Sequence, residues 1–123
     1  MRIRIMILAT ILASAFISAP VRASEPLYES RLLRLAEILG SIHFLRTLCG
    51  EEGNSWRAEM EKLLETEAPD AERRARLVGR FNRGYRAFDG VYSVCTSSAT
   101  AAIERYMKEG EELSREIATR FGN

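Results

Sequence analysis

The 123-residue chain has little of the residue types on which most site chemistry depends. Its single histidine, His43, excludes a multi-histidine zinc site. Its two cysteines, Cys49 and Cys95, form no CxxC or CxxCH motif, which excludes the thioredoxin-type redox pair and CxxCH haem attachment. One reading left open is a haem held by His43 with Met60 or Met107, but it rests on a lone histidine, and no cofactor is expected. No Ser-His-Asp motif and no glycine-rich phosphate loop after a strand are present, so no catalytic residues are assigned and a non-enzymatic protein is expected. Alternating strand patterns, internal repeats and low-complexity tracts are also missing, and prolines number three. What remains is all-α.

The first residues are a different kind of segment. Met1-Arg2-Ile3-Arg4 is a short basic start, Ile5 to Ile17 is an uncharged apolar run, and Val21-Arg22-Ala23 carries small residues at the two positions signal peptidase reads. This is the pattern of a secretory signal peptide over residues 1–23, cut before Ser24. An uncleaved anchor is the rival, and it would need roughly 20 apolar residues. Cleavage leaves Ser24–Asn123, enough for a single helical domain (24–123) and too short for two. The whole chain has 18 basic and 17 acidic side chains; losing Arg2, Arg4 and Arg22 turns a net charge of +1 into −2. So balanced a surface gives no electrostatic case for nucleic acid, nor a strong one for anionic lipid. A periplasmic location is expected, with no stable membrane span after cleavage.

In an oxidising compartment two isolated cysteines are most simply one structural disulfide. Closing a loop of that length is worth about 4 kcal/mol in the chain-entropy model. A redox-active pair is the alternative, but both cysteines fall on apolar stripes and nothing nearby lowers a thiol pKa.

Periodicity predicts four helices. The first starts at Ser24-Glu25-Pro26 and runs to about Cys49, with apolar residues on more than one face; Arg46 falls on the apolar stripe and needs an acceptor. A short second helix, capped by Ser55, carries Trp56, Met60, Leu63 and Leu64. Pro69, in the first turn, opens the third, and Thr96-Ser97-Ser98 separates it from the fourth, which ends at Phe121-Gly122. Short connections give an up-down four-helix bundle with a short second helix and one inter-helix disulfide. Helices one and three then run parallel and each ends in its cysteine. Helices one, three and four would span roughly 35–40 Å and helix two only about 20 Å, leaving a bare flank as a candidate partner or homodimer surface.

The third helix carries the densest pattern. Phe81, Tyr85, Phe88, Tyr92 and Cys95 share one face, which reads as the inner spine of the bundle, with Asn82 placed to satisfy a tyrosine hydroxyl. Asp89-Gly90 is a possible break. Arg76, Arg80, Arg83 and Arg86 form a candidate surface patch for anions or headgroups. The competing reading is a solvated face paired with helix-two glutamates (Glu59, Glu61, Glu65, Glu67) and helix-four glutamates (Glu104, Glu109, Glu111, Glu112, Glu116). Gly84 and Gly90 suit close helix approach or a kink.

Three blocks, Arg31–Arg46 leading to Cys49, Ser55-Trp56-Arg57-Ala58-Glu59-Met60, and Phe81–Arg86 leading to Cys95-Thr96, together resemble a family of small exported proteins of Gram-negative bacteria, domain of unknown function 2385. The resemblance implies an exported, mostly helical protein with two cysteines and supplies no activity. The function expected is protein–protein contact, with an unknown envelope protein or as a homodimer. A holdase-type chaperone and a small-ligand or cofactor binder are the alternatives.

Overall fold

The computed structural model describes residues 24–122; the expected signal peptide, 1–23, lies outside the described residues. Four α-helices follow in order: α1 (Ser24–Leu48), α2 (Ser55–Glu67), α3 (Ala71–Asp89) and α4 (Ser97–Phe121). The bundle is up-down-up-down. Parallel α1 and α3 pair Glu29 with Arg73, Glu37 with Arg80 and Ser41 with Gly84 in ascending order. Antiparallel α1 and α4 pair Arg31 with Glu116 and Arg34 with Glu109.

The helix ends follow from local chemistry. Asp70 accepts the Arg73 backbone N–H at 2.8 Å and caps α3. Thr96 does the same for α4, accepting from Ala99 at 3.1 Å. Ala68 ends α2 in the left-handed region at φ 42°. Three boundaries differ from expectation. Pro69, expected in the first turn of α3, lies before its cap Asp70, and the helix starts at Ala71. Asn54, without a side-chain cap, precedes α2, and Ser55 is its first residue. The third helix stops at Asp89, where the Val91 and Tyr92 N–H groups both bond to the Phe88 carbonyl, not at Thr96. Helical spacing persists to Tyr92 because that ring still packs inward, 6.0 Å from Phe88, from a loop.

The spine of the bundle is α1, not the aromatic stretch 81–95. All three other helices pack on α1, while the backbones of α2 and α4, and of α3 and α4, stay apart. The reason lies in the circumference of each helix. α1 offers apolar or small side chains on every side, so it can be enclosed, whereas α3 gives its outer half to arginines. Three clusters ring α1. Leu32 and Ala36 meet Met60, Leu64, Leu77 and Phe81; Ile38 and Ile42 meet Leu113; Phe44 and Leu45 meet Ala99, Ala102 and Ile103.

The α1–α3 contact is the tightest. A Cβ at Gly40 would collide with the Phe81 carbonyl, 2.8 Å from its carbon, and one at Gly84 would sit 2.8 Å from the Glu37 carbonyl carbon. Ser41 Oγ, buried, donates to the Gly84 carbonyl at 3.1 Å. The two backbones therefore touch, which only glycine permits at these positions. Gly90 has open space around it and serves only to end the helix.

Candidate functional site

Because α2 has 13 residues and α4 has 25, and the two do not meet, one side of α1 is left open. There a groove of about 620 Å³ runs over α1. Leu35, Ile38, Leu39 and Ile42 floor it; Trp56 forms one wall and Met107 the other. Ile38 and Ile42 are fully buried and close the bottom, while Leu35 and Leu39 remain half-exposed within it. A shallower extension of about 260 Å³ continues past Leu63 to Thr66.

The walls follow from each helix's period. In α2, Met60 and Leu64 face the α3 side of the core, which turns Trp56, Glu59 and Leu63 toward the groove. In α4, Met107, Gly110 and Ser114 share a face, and the two small residues keep that wall low; a Cβ at Gly110 would already come within 3.3 Å of Ile38. Trp56 is held in place. Its indole N–H donates to Glu51 at 3.1 Å, and Arg46, paired with the same carboxylate at 2.8 Å, lies over the ring at 5.8 Å from the centroid. Arg46 thus meets a carboxylate at the rim, as an ion pair and not as a hydrogen bond from its Nε. Glu59, Lys108 and Glu111 edge the groove with both charge signs, so its apolar floor dominates.

The other sequence-derived residues fall as follows. Cys49 and Cys95 are joined, S–S 2.01 Å, tying the end of α1 to the α3–α4 loop. Both cysteines lie just beyond helix ends at the same end of the bundle. The four arginines of the candidate patch divide. Arg80 pairs with Glu37 at 3.2 Å and Arg76 with the exposed Glu72 at 3.4 Å, while Arg83 and Arg86 are exposed with no ion pair among the described residues. Carboxylates for α3 come mostly from α1, with Glu67 the one contribution of α2; the α4 residues Glu109 and Glu116 pair with Arg34 and Arg31 of α1. The central position of α1 explains that exchange of partners.

His43 sits among rings, 5.9 Å from Phe81 and 5.7 Å from Tyr85. Burial and the nearby Arg57 guanidinium push its pKa down, partly opposed by Glu51. Met60 is buried in the Leu32–Phe81 cluster, and Met107 lines the groove wall. At the far end, the Tyr28 hydroxyl donates to Glu67, which also takes Arg73; Arg73 reaches Glu29 as well, both at 2.9 Å. Burial and that carboxylate push the Tyr28 pKa up to about 12. Asn82, expected near a tyrosine hydroxyl, lies exposed on α3.

Sequence reasoning missed Leu35 and Leu39 as site residues, and Gly40 as a contact. A usable signal existed for Gly40: an isolated glycine inside a strong helical pattern, four residues after Ala36.

Among the described residues no group of three or more His, Cys, Asp or Glu side chains is placed to hold a metal ion. No described helix is long and apolar enough to cross a membrane. The geometry defines a small all-helical bundle with an open apolar groove. The chain belongs to the family described as "Protein of unknown function (DUF2385)", whose pattern matches residues 27–121. No curated protein and no solved structure matches it.

Proposed function

We propose that the protein is a non-enzymatic binding module of the cell envelope that receives an apolar helical segment of a partner protein in the α2–α4 groove. One observation carries this reading: Leu35 and Leu39 stay half-exposed over a closed aliphatic floor, between two helical walls that do not meet. A fourth neighbour for α1 is missing at that position, and a short amphipathic helix presents the complementary shape and chemistry. Work after export is supported by the leader pattern of residues 1–23 and by a disulfide, a bond that persists in oxidising compartments.

Trp56, the only tryptophan, forms a wall of the groove and reports its occupancy by fluorescence. A photo-crosslinker at position 39 is expected to give one discrete adduct in the envelope, absent when the crosslinker sits at position 79 and lost with Leu35→Asp. An adduct whose mass is twice that of the chain would identify a second copy as the occupant. Equal labelling from both positions would refute the groove as the site.

A further inference from the structure

The near-neutral total charge conceals a segregation that the fold makes visible. α3 carries six arginines against Glu72 and Asp89, while α1 is balanced and α2 and α4 are acidic. Of those six, Arg73 is drawn inward to Glu29 and Glu67, and Arg80 to Glu37. Of the four that remain, Arg74 lies on the flank beside α2, and Arg76, Arg83 and Arg86 form an outward line with Gly79, at helical spacing on the side of α3 away from Leu77, Phe81 and Gly84. Arg76 shares that face with its partner Glu72, and Arg83 and Arg86 are unpaired among the described residues. Ala75, Gly79 and Ala87 leave this face low between the guanidinium groups, and all three are exposed.

A second, independent observation lies directly beyond the C-terminus of α3. Val91 and Val94 are the two most exposed large hydrophobic residues described, at 68% and 64%. They sit in the α3–α4 loop, five and eight residues past Arg86, and the far end of that loop is fastened to α1 through Cys95–Cys49. An acidic protein surface would use the arginines and leave the valines without a role. An anionic bilayer uses both: phosphates meet the guanidinium groups, and the aliphatic side chains enter the headgroup–acyl boundary.

We propose that the outer face of α3, with Val91 and Val94, seats the protein on an anionic phospholipid surface. This face belongs to α3 and is separate from the α2–α4 groove, so the two readings stand or fall independently.

The test is co-sedimentation of the protein recovered from cells, its N-terminus read by intact mass, with two kinds of vesicle: phosphatidylethanolamine containing phosphatidylglycerol, and phosphatidylcholine alone. Binding is expected only to the first, and it weakens steeply when salt is raised from roughly 0.05 to 0.5 M. Arg83→Gln with Arg86→Gln lowers partitioning about 30-fold, as two membrane-facing arginines should. Val91→Ser with Val94→Ser lowers it about tenfold, and the control pair Arg115→Gln with Arg120→Gln, on α4, changes it less than about threefold. Unchanged thermal melting by circular dichroism certifies each fold, since none of these six side chains is buried. Absence of binding overturns the proposal. So does binding that survives the Arg83/Arg86 change, and so does an equal loss in the α4 control, which would reduce the effect to net charge. Salt-insensitive binding common to all variants would belong to a retained apolar leader and equally overturns it.

Discussion

The two sides of α1 solve the same packing problem in opposite ways. Toward α3, Gly40 and Gly84 bring no side chain of their own to the crossing point, and backbone meets backbone with the small Ser41 side chain bridging them. Toward α2 and α4, leucines project into a space that no helix fills. The first side gains its stability from close contact and tolerates no added atom. The second exposes apolar area that a partner can cover, and it tolerates change because its side chains have room to move. Close packing and open apolar surface are thus divided between opposite faces of one helix.

The comparison breaks most severely where the closed side is fastened. Replacing Cys49 and Cys95 together by serine should cost about 4 kcal/mol of unfolding free energy, read from urea midpoints. A loss below about 1 kcal/mol would show that the α1–α3 contact holds without the link. Next come the glycines. Gly40→Ala and Gly84→Ala should each cost about 3 kcal/mol, since the helices must part and the Ser41–Gly84 hydrogen bond goes with them. Gly79→Ala, on the open outer face of the same α3, should instead stabilise by about 0.5–1 kcal/mol. If all three behave alike, helix propensity and not close approach governs these positions.

Substitution in the groove should be milder. Leu39→Ser is expected to cost about 1 kcal/mol, less than Leu45→Ser, whose side chain is fully buried; urea melts of the pair measure the difference directly. The smallest effect concerns His43. Its pKa is lowered in the folded chain, so below about pH 6.5 the unfolded chain takes up the proton first. His43 should therefore subtract stability as the pH falls through that value, and His43→Gln should flatten the slope. A slope unchanged in the variant would assign it to carboxylates elsewhere.

Much of the architecture was legible in the residues. Four helices, the short second one and the meeting of the cysteines at one end all follow from periodicity, caps and connection length, which are local or nearly so. The caps Asp70 and Thr96 act within one turn, so their effect can be read without knowing the fold. The end of α3 was less legible, because Tyr92 keeps its inward direction from a loop and the pattern alone does not distinguish the two. The groove was legible only as a deficit: a helix too short to cover its neighbour, with no indication of which side chains would line the gap.

The sequence by itself determined the helices, their order and direction, and the pairing of its two cysteines, since each depends on short-range spacing or on a set with one member. Tertiary structure decided which helix is enclosed, which arginines are paired with carboxylates and which remain free, and where the open face falls. These depend on how several helices divide a limited apolar surface among them. α1 could be the centre because Gly40 let α3 approach so closely, and that choice turned Leu35 and Leu39 toward the gap that α2 and α4 leave between them.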